Sequence, residues 1–312
     1  MRTPRIIAGA ILGAVVAALA GATPALADGG TGAIAGNVRD TRGTVIADAV
    51  VTIYPPESSP NIVAQTRTDA AGKFKVTGLD EGSYKVDIRL GGWSEWAPGR
   101  IENFDAAPAY PVVPGRTTRA SSVVSAPGVI TGRLVTATGT PAAGVAVSAD
   151  EENTARTWSA TTAADGTYQV KVHPGGDYII GFRDGSFQQF APHTVDRSSA
   201  RHFTVGSGHT IRVNDRLLPA ASLSGRLVDA AGAPVVGAQV HYLTMNASEQ
   251  ATTTDAAGNY SFTKLNPGDI KVYFVTADGV TQWAYQAQSY DEATTFTLAL
   301  GQTTTVDDQL LG

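Results

Sequence analysis

The side chains in this sequence that could do chemistry are five histidines, four tryptophans and 28 carboxylates; there is no cysteine. Metal binding needs imidazoles that converge, typically at i, i+2 on one strand face or from adjoining strands. His173, His193, His202, His209 and His241 lack that spacing and read as solvated surface residues, so no metal is expected. Asp150-Glu151-Glu152 superficially suggests the acid pair of a glycosidase. Glycoside hydrolysis, however, needs two carboxylates from separate elements about 5 to 9 Å apart across a cleft, whereas adjacent acids at a strand end face solvent. Gly-x-Ser-x-Gly, His-Glu-x-x-His and glycine-rich phosphate loops are all missing, so neither a catalytic residue nor a cofactor is expected. Aromatic residues remain. Exposed Trp and Tyr rings bury much apolar area on contact, and Trp93, Trp158 and Tyr285 are the candidate ligand-binding residues, with Tyr110 behind them. Trp96, Phe190 and Trp283 share one recurring position and read as plugs for a core; Trp93 and Trp158 stand outside the recurrence.

The recurrence is a threefold repeat. Gly36, Gly132 and Gly225 open the same segment, and a second glycine follows seven residues later at Gly43, Gly139 and Gly232. Thr68-Asp69-Ala70-Ala71-Gly72-Lys73-Phe74 returns as Thr254-Asp255-Ala256-Ala257-Gly258-Asn259-Tyr260, with Thr162 to Tyr168 as the middle copy. Within each copy the apolar period is two: Val51 and Ile53, then Tyr84, Val86 and Ile88, alternate with polar neighbours. That is the mark of strands with one face in a core and one in water. Asp before Gly in the Asp69 segment caps a turn through its side chain; a calcium loop would need several oxygen ligands where this turn offers one carboxylate. About seven short strands per copy, punctuated by Gly and Pro, predict an all-β chain of three tandem seven-stranded antiparallel β-sandwich domains of immunoglobulin-like proportions. The expected limits are 28–126, 127–219 and 220–312, joined by links too short to act as free coil and hence forming an extended rod.

Residues 1–27 read as a signal peptide: Arg2 and Arg5, the apolar stretch Ile6 to Ala20, then Ala25-Leu26-Ala27 as a small-x-small cleavage site. Cleavage would leave a secreted, extracellular protein with no membrane segment. It removes two of the 23 basic residues and none of the 28 acidic ones, leaving a net charge of −7, which opposes nucleic-acid binding. Domains exported without cysteine must each bury a proper core.

The pattern of a Gly-x-Val/Leu strand, an Ala-x-Val strand, Thr-Asp-x-x-Gly-x-Phe/Tyr and Leu-x-x-Gly-x-Tyr-x-Val resembles the carboxypeptidase regulatory-like domain. The resemblance covers nearly all of 28–312. It implies a prealbumin-like sandwich akin to the transthyretin-like and starch-binding-domain-like folds, seen in accessory modules of peptidases and glycosidases, adhesin stalks and free-standing secreted proteins. Together these readings lead to a non-catalytic binding protein with a polysaccharide partner. The alternatives are an adhesive or structural stalk that binds extracellular protein partners and, third, a polysaccharide hydrolase. The first strands hold arginines (Arg39, Arg133, Arg226) rather than lysine, so no internal isopeptide bond is expected.

Overall fold

The computed structural model describes residues 30–57, 61–152 and 154–311; the expected signal segment lies outside them. The alternating runs become strands grouped into three sandwich units. The first unit contains β1 (Gly32–Asp40), β2 (Val50–Tyr54), β3 (Ala64–Arg67), β4 (Lys73–Leu79), β5 (Gly82–Leu90), β6 (Trp93–Trp96), β7 (Tyr110–Val112), β8 (Thr117–Arg119) and β9 (Ser122–Val124). One sheet has the order β4-β1-β8 with β9 also on β1; the other has the order β3-β2-β5-β6 with β7 on β5. The same plan recurs from Gly128–Val135 to Asp215–Arg216 and from Ala221–Val228 to Asp308–Gln309.

The all-β sandwich class is as expected, but each unit has nine strand segments rather than seven, and they are not all antiparallel. β8 and β9 both run parallel to β1, pairing Ala35 with Arg119 and Val38 with Ser122. A period of two tells which face a side chain takes and carries no information on pairing direction, so this was invisible in the pattern. Between the two segments Ala120 turns inward and is buried.

Each unit closes its own interior, as a cysteine-free design requires. In the first, Val51, Ile53, Val86 and Ile88 from one sheet meet Ile34, Val38, Phe74 and Val76 from the other. Full burial of such a side chain is worth about 1.5 to 3 kcal/mol. The Asp-Gly turns are closed as read: Asp69 Oδ1 accepts from the Ala71 and Lys73 amides, both at 2.8 Å, and Asp255 repeats this with Ala257 and Asn259.

The recurring aromatics do not plug the sandwich core. Alternation at the end of β6 sends Ala97, the next residue and 1 % exposed, inward, while Trp96 lies on the outer face of the second sheet. There it meets Phe104 edge-on at 5.1 Å, from the loop that crosses the sheet. Lys85 sits 3.9 Å over the Phe104 ring and donates to its carbonyl at 2.7 Å. The third unit repeats the device with Trp283, Tyr290 and Lys271; the second replaces it with an apolar cluster of Ile179, Phe190 and Ala200.

Asp87 is buried on this outer face, 3 % exposed, and its Oδ1 has no hydrogen-bond partner among the described residues. Burial raises its pKa above the usual carboxylate range, and the opposing pull of Ser94 and Arg89 does not cancel the rise. A raised folded-state value means the fold prefers the protonated acid. Stability is therefore fullest below the ordinary value of 3.8 and declines as pH climbs through the folded-state value. Asp87→Asn should stabilise the chain at pH 7 by about 1 kcal/mol, raising Tm by roughly 4 to 8 °C, with no gain at pH 3. Melting curves at both pH values check this; an equal gain at pH 3 contradicts it.

Candidate functional site

Two of the three candidate aromatics meet at the seam between the first and second units. The hairpin joining β5 to β6 carries Gly91, Gly92 and Trp93. Trp93 is 7 % exposed, with its ring edge-on to His173 of the second unit at 5.7 Å. Trp158, half-buried on an edge strand, packs its indole against the Gly92 backbone so closely that a Cβ on Gly92 would lie 2.5 Å from Nε1. His173 Nε2 is 3.3 Å from Glu102 of the first unit, and Nδ1 is 3.7 Å from Glu151. A cleft of ≈ 350 Å³ beside the two indoles is also bordered by Arg89 and Lys171. Trp93 is thus largely covered by the second unit, and what remains open of its ring borders that cleft.

The position of Trp93 is a repeat position after all. Its counterpart is Phe187, 1 % exposed, in the equivalent hairpin of the second unit, and that hairpin docks on the third. Asp184 pairs with Lys264 at 2.6 Å, the Gln188 amide donates to Asn266 at 2.8 Å, and Gln250 donates to Ser186 at 2.5 Å. In the third unit the same place holds Val280, 57 % exposed. An aromatic stands here in the two copies that another unit follows.

Tyr285 lies apart from the other two, 54 % exposed, on the loop after the third unit's Trp283. Two of the three copies build this loop on Ala-Pro with a cis peptide bond; the third puts Tyr285 in place of the proline. A buried carboxylate holds the loop in every copy: Glu95 accepts from the Arg100 amide at 2.5 Å, Asp215 from His193 at 3.3 Å and Asp308 from Tyr285 at 2.8 Å. The acid changes strand between copies. Where β6 supplies Glu95, the last strand offers Ser122; where the β6 counterpart supplies Gln189 or Gln282, the last strand supplies Asp215 or Asp308. The two glutamines clamp that strand, accepting from the Leu218 and Leu311 amides at 2.7 and 2.8 Å. A shared clamp therefore presents a different tip in each copy. In the third, Tyr285 and Gln286 both have φ of 62°. Side chains in that left-handed region cost about 1 to 3 kcal/mol each and persist where the surroundings over-determine them. Phe296 supports the Tyr285 ring edge-on at 5.4 Å. Arg226, Gln286, Asp307 and Gln309 complete an open groove of ≈ 500 Å³ around it.

The carboxypeptidase regulatory-like domain model matches three times, over 33–123, 129–217 and 222–311. This chain belongs to the carboxypeptidase regulatory-like domain family. Solved structures with similarity include the TIE protein of Bacillus anthracis, 15 % identical over 90 % of this chain and 50 % of that one, with a TM-score of 0.26. The chain therefore spans half the length of that protein. Others are the minor pilin GBS52 of Streptococcus agalactiae, at 15 % identity over 59 % and 97 % of the two chains and TM-score 0.35, and the shaft pilin SpaA of Lactobacillus rhamnosus GG, at 10 % over 60 % and 98 % and TM-score 0.30. No curated protein matches the chain.

In these three carboxypeptidase regulatory-like domains most of the remaining polar candidates are engaged locally. His193, His202 and His241 each face one carboxylate, Asp215, Asp177 and Glu249, at 2.7 to 2.8 Å. His173 was expected in solvent and is instead 8 % exposed, because the first domain covers it. Asp150 and Glu152 are bridged by Arg197 at 3.0 and 2.6 Å, whereas Glu151 points the other way, buried beside Arg156. Among the described residues no three His, Asp or Glu gather closely enough to hold a metal. Sequence reasoning missed the acid clamp, although its signal was present: Ser122, Asp215 and Asp308 recur at intervals of 93 residues.

Proposed function

We propose that this chain is a non-catalytic extracellular binding protein, in which the first two domains form a docked spacer and the third binds polysaccharide at Tyr285. The observation that carries the reading is an exposed aromatic held in a left-handed backbone conformation over a groove of planar polar side chains. An aromatic face supplies apolar contact to a sugar ring, while Arg226, Asp307, Gln286 and Gln309 are placed to pair with its hydroxyls. Trp93 and Trp158 serve the spacer in this scheme rather than the ligand.

Tyr285→Ala should reduce affinity for the polysaccharide that the wild-type chain retains by about tenfold or more, equivalent to roughly 1.4 kcal/mol, while leaving Tm within about 2 °C. Screening the chain and this variant on a glycan array, followed by affinity electrophoresis on the retained polymers, makes the test. Equal retention of both proteins removes Tyr285 from the reading. Absence of any retained glycan leaves the stalk alternative, which the two docked seams favour.

A further inference from the structure

We propose a second, separate site on the outer face of the first domain's β4-β1-β8 sheet, which takes an anionic polysaccharide. The strand register sets the cations in rows. Ala35 on β1 is flanked by Lys75 on β4 and Arg119 on β8, and Asn37 by Lys73. Arg39 continues the same face of β1. Cations of one row stand about 10 Å apart across the small Ala35, and successive rows are about 7 Å apart along the strands. The result is a groove of ≈ 680 Å³ with a small-residue floor and basic walls. Arg39, Lys73, Lys75 and Arg119 are all exposed, and none pairs with a carboxylate among the described residues. Arg67, at the groove's edge, is already paired with Asp48 at 3.1 Å. Asp69, the one acid lining it, is engaged by the turn amides of Ala71 and Lys73.

The other two domains act as internal controls, because the framework is the same. The row Lys75-Ala35-Arg119 corresponds to Gln169-Thr131-Arg212 in the second domain and Ser261-Ser224-Thr305 in the third. Folding therefore does not require cations at these places. They are gathered on one face of a chain whose net charge is negative, so the attraction is local to the groove. The occupant follows from the chemistry of the walls and floor. Repeated cations suit a polymer with one negative charge per repeat, and the Asn37, Thr117 and Ser121 side chains suit its hydroxyls. No aromatic side chain stands on this face among the β1, β4 and β8 outward positions, which removes the stacking that single-stranded nucleic acid uses.

Binding of the chain to polygalacturonate, a phosphate-bearing polysaccharide (phosphomannan) and neutral dextran at 50 and 200 mM salt tests this. Both polyanions should bind, more weakly at the higher salt. Lys75→Glu/Arg119→Glu should lower affinity for them by at least ~10-fold, with an unchanged melting curve. Tyr285→Ala should keep polyanion binding intact, which separates this site from the one on the third domain. Binding to only one polyanion still supports the site and identifies its charged group as carboxylate or phosphate. Failure to bind either, binding that survives the charge reversal, or equal binding of polyglutamate or single-stranded DNA would overturn the proposal.

Discussion

Gly132→Ala is expected to destabilise the second domain by about 3 kcal/mol, lowering its melting temperature by roughly 12 to 24 °C. A Cβ at Gly132 would fall 1.9 Å from the Val213 carbonyl oxygen, which is backbone and cannot step aside. The same oxygen accepts the buried Tyr168 hydroxyl at 2.5 Å, so displacing it also strains a hydrogen bond that has no water to replace it. Gly225 repeats the arrangement with Val306 and Tyr260 and should respond alike. Gly36 faces Ala120 at 2.6 Å, and there Phe74 stands in the tyrosine's place, so Gly36→Ala should cost less. Gly139 makes the control. Its φ is 91° and only an Arg216 nitrogen lies near its Cβ direction, at 3.9 Å, so alanine there costs backbone strain alone, about 1 to 2 kcal/mol. Calorimetry of the four variants should rank Gly132 and Gly225 above Gly36 and Gly139. A Gly132→Ala protein that melts with the wild type would show that the first strand of each sandwich is not pressed against the last.

Those glycines mark what the sequence could and could not say. Their recurrence announced the repeat, and the alternation of Val51, Ile53, Val86 and Ile88 named the core face, because both follow from local chemistry. Why glycine recurs at Gly36, Gly132 and Gly225 depends on a strand more than 80 residues away running parallel to the first, which no local pattern encodes. The candidate site divides in the same way. Tyr285 was legible as an aromatic without a core duty, and its exposure fits that. Trp93 carried the same signal for a different reason. It has a structural duty, but toward the neighbouring domain, and a reading made one copy at a time treats an interdomain aromatic as an unused one. Phe187, in the equivalent hairpin, is the clue, although Val280 in the last copy breaks the series.

The seam yields the second large effect. Gly92→Ala should release the first domain from the second without unfolding either. The glycine's φ lies outside the left-handed region, and the three heavy atoms nearest its Cβ direction all belong to Trp158, with Nε1 at 2.5 Å and Cδ1 at 3.2 Å. The indole is braced in turn by Tyr178, edge-on at 5.6 Å in the second domain's core. Separation would expose Trp93, Trp158 and His173 together and break the Glu102 contact. The expected readout is a red-shifted tryptophan emission and a broadened distribution of interdomain distances in small-angle scattering, with domain melting transitions retained. Trp93→Ala, which removes a ring 7 % exposed, should release the same seam and forfeit about 3 kcal/mol of packing besides. Trp158→Ala supplies the decisive cycle. By making room for the methyl it should render Gly92→Ala nearly silent, a non-additivity confined to residues in contact. If Gly92→Ala scatters and fluoresces like the wild type, or adds its full effect to that of Trp158→Ala, the two domains are not held by this contact. The spacer would then be a pair of freely jointed modules.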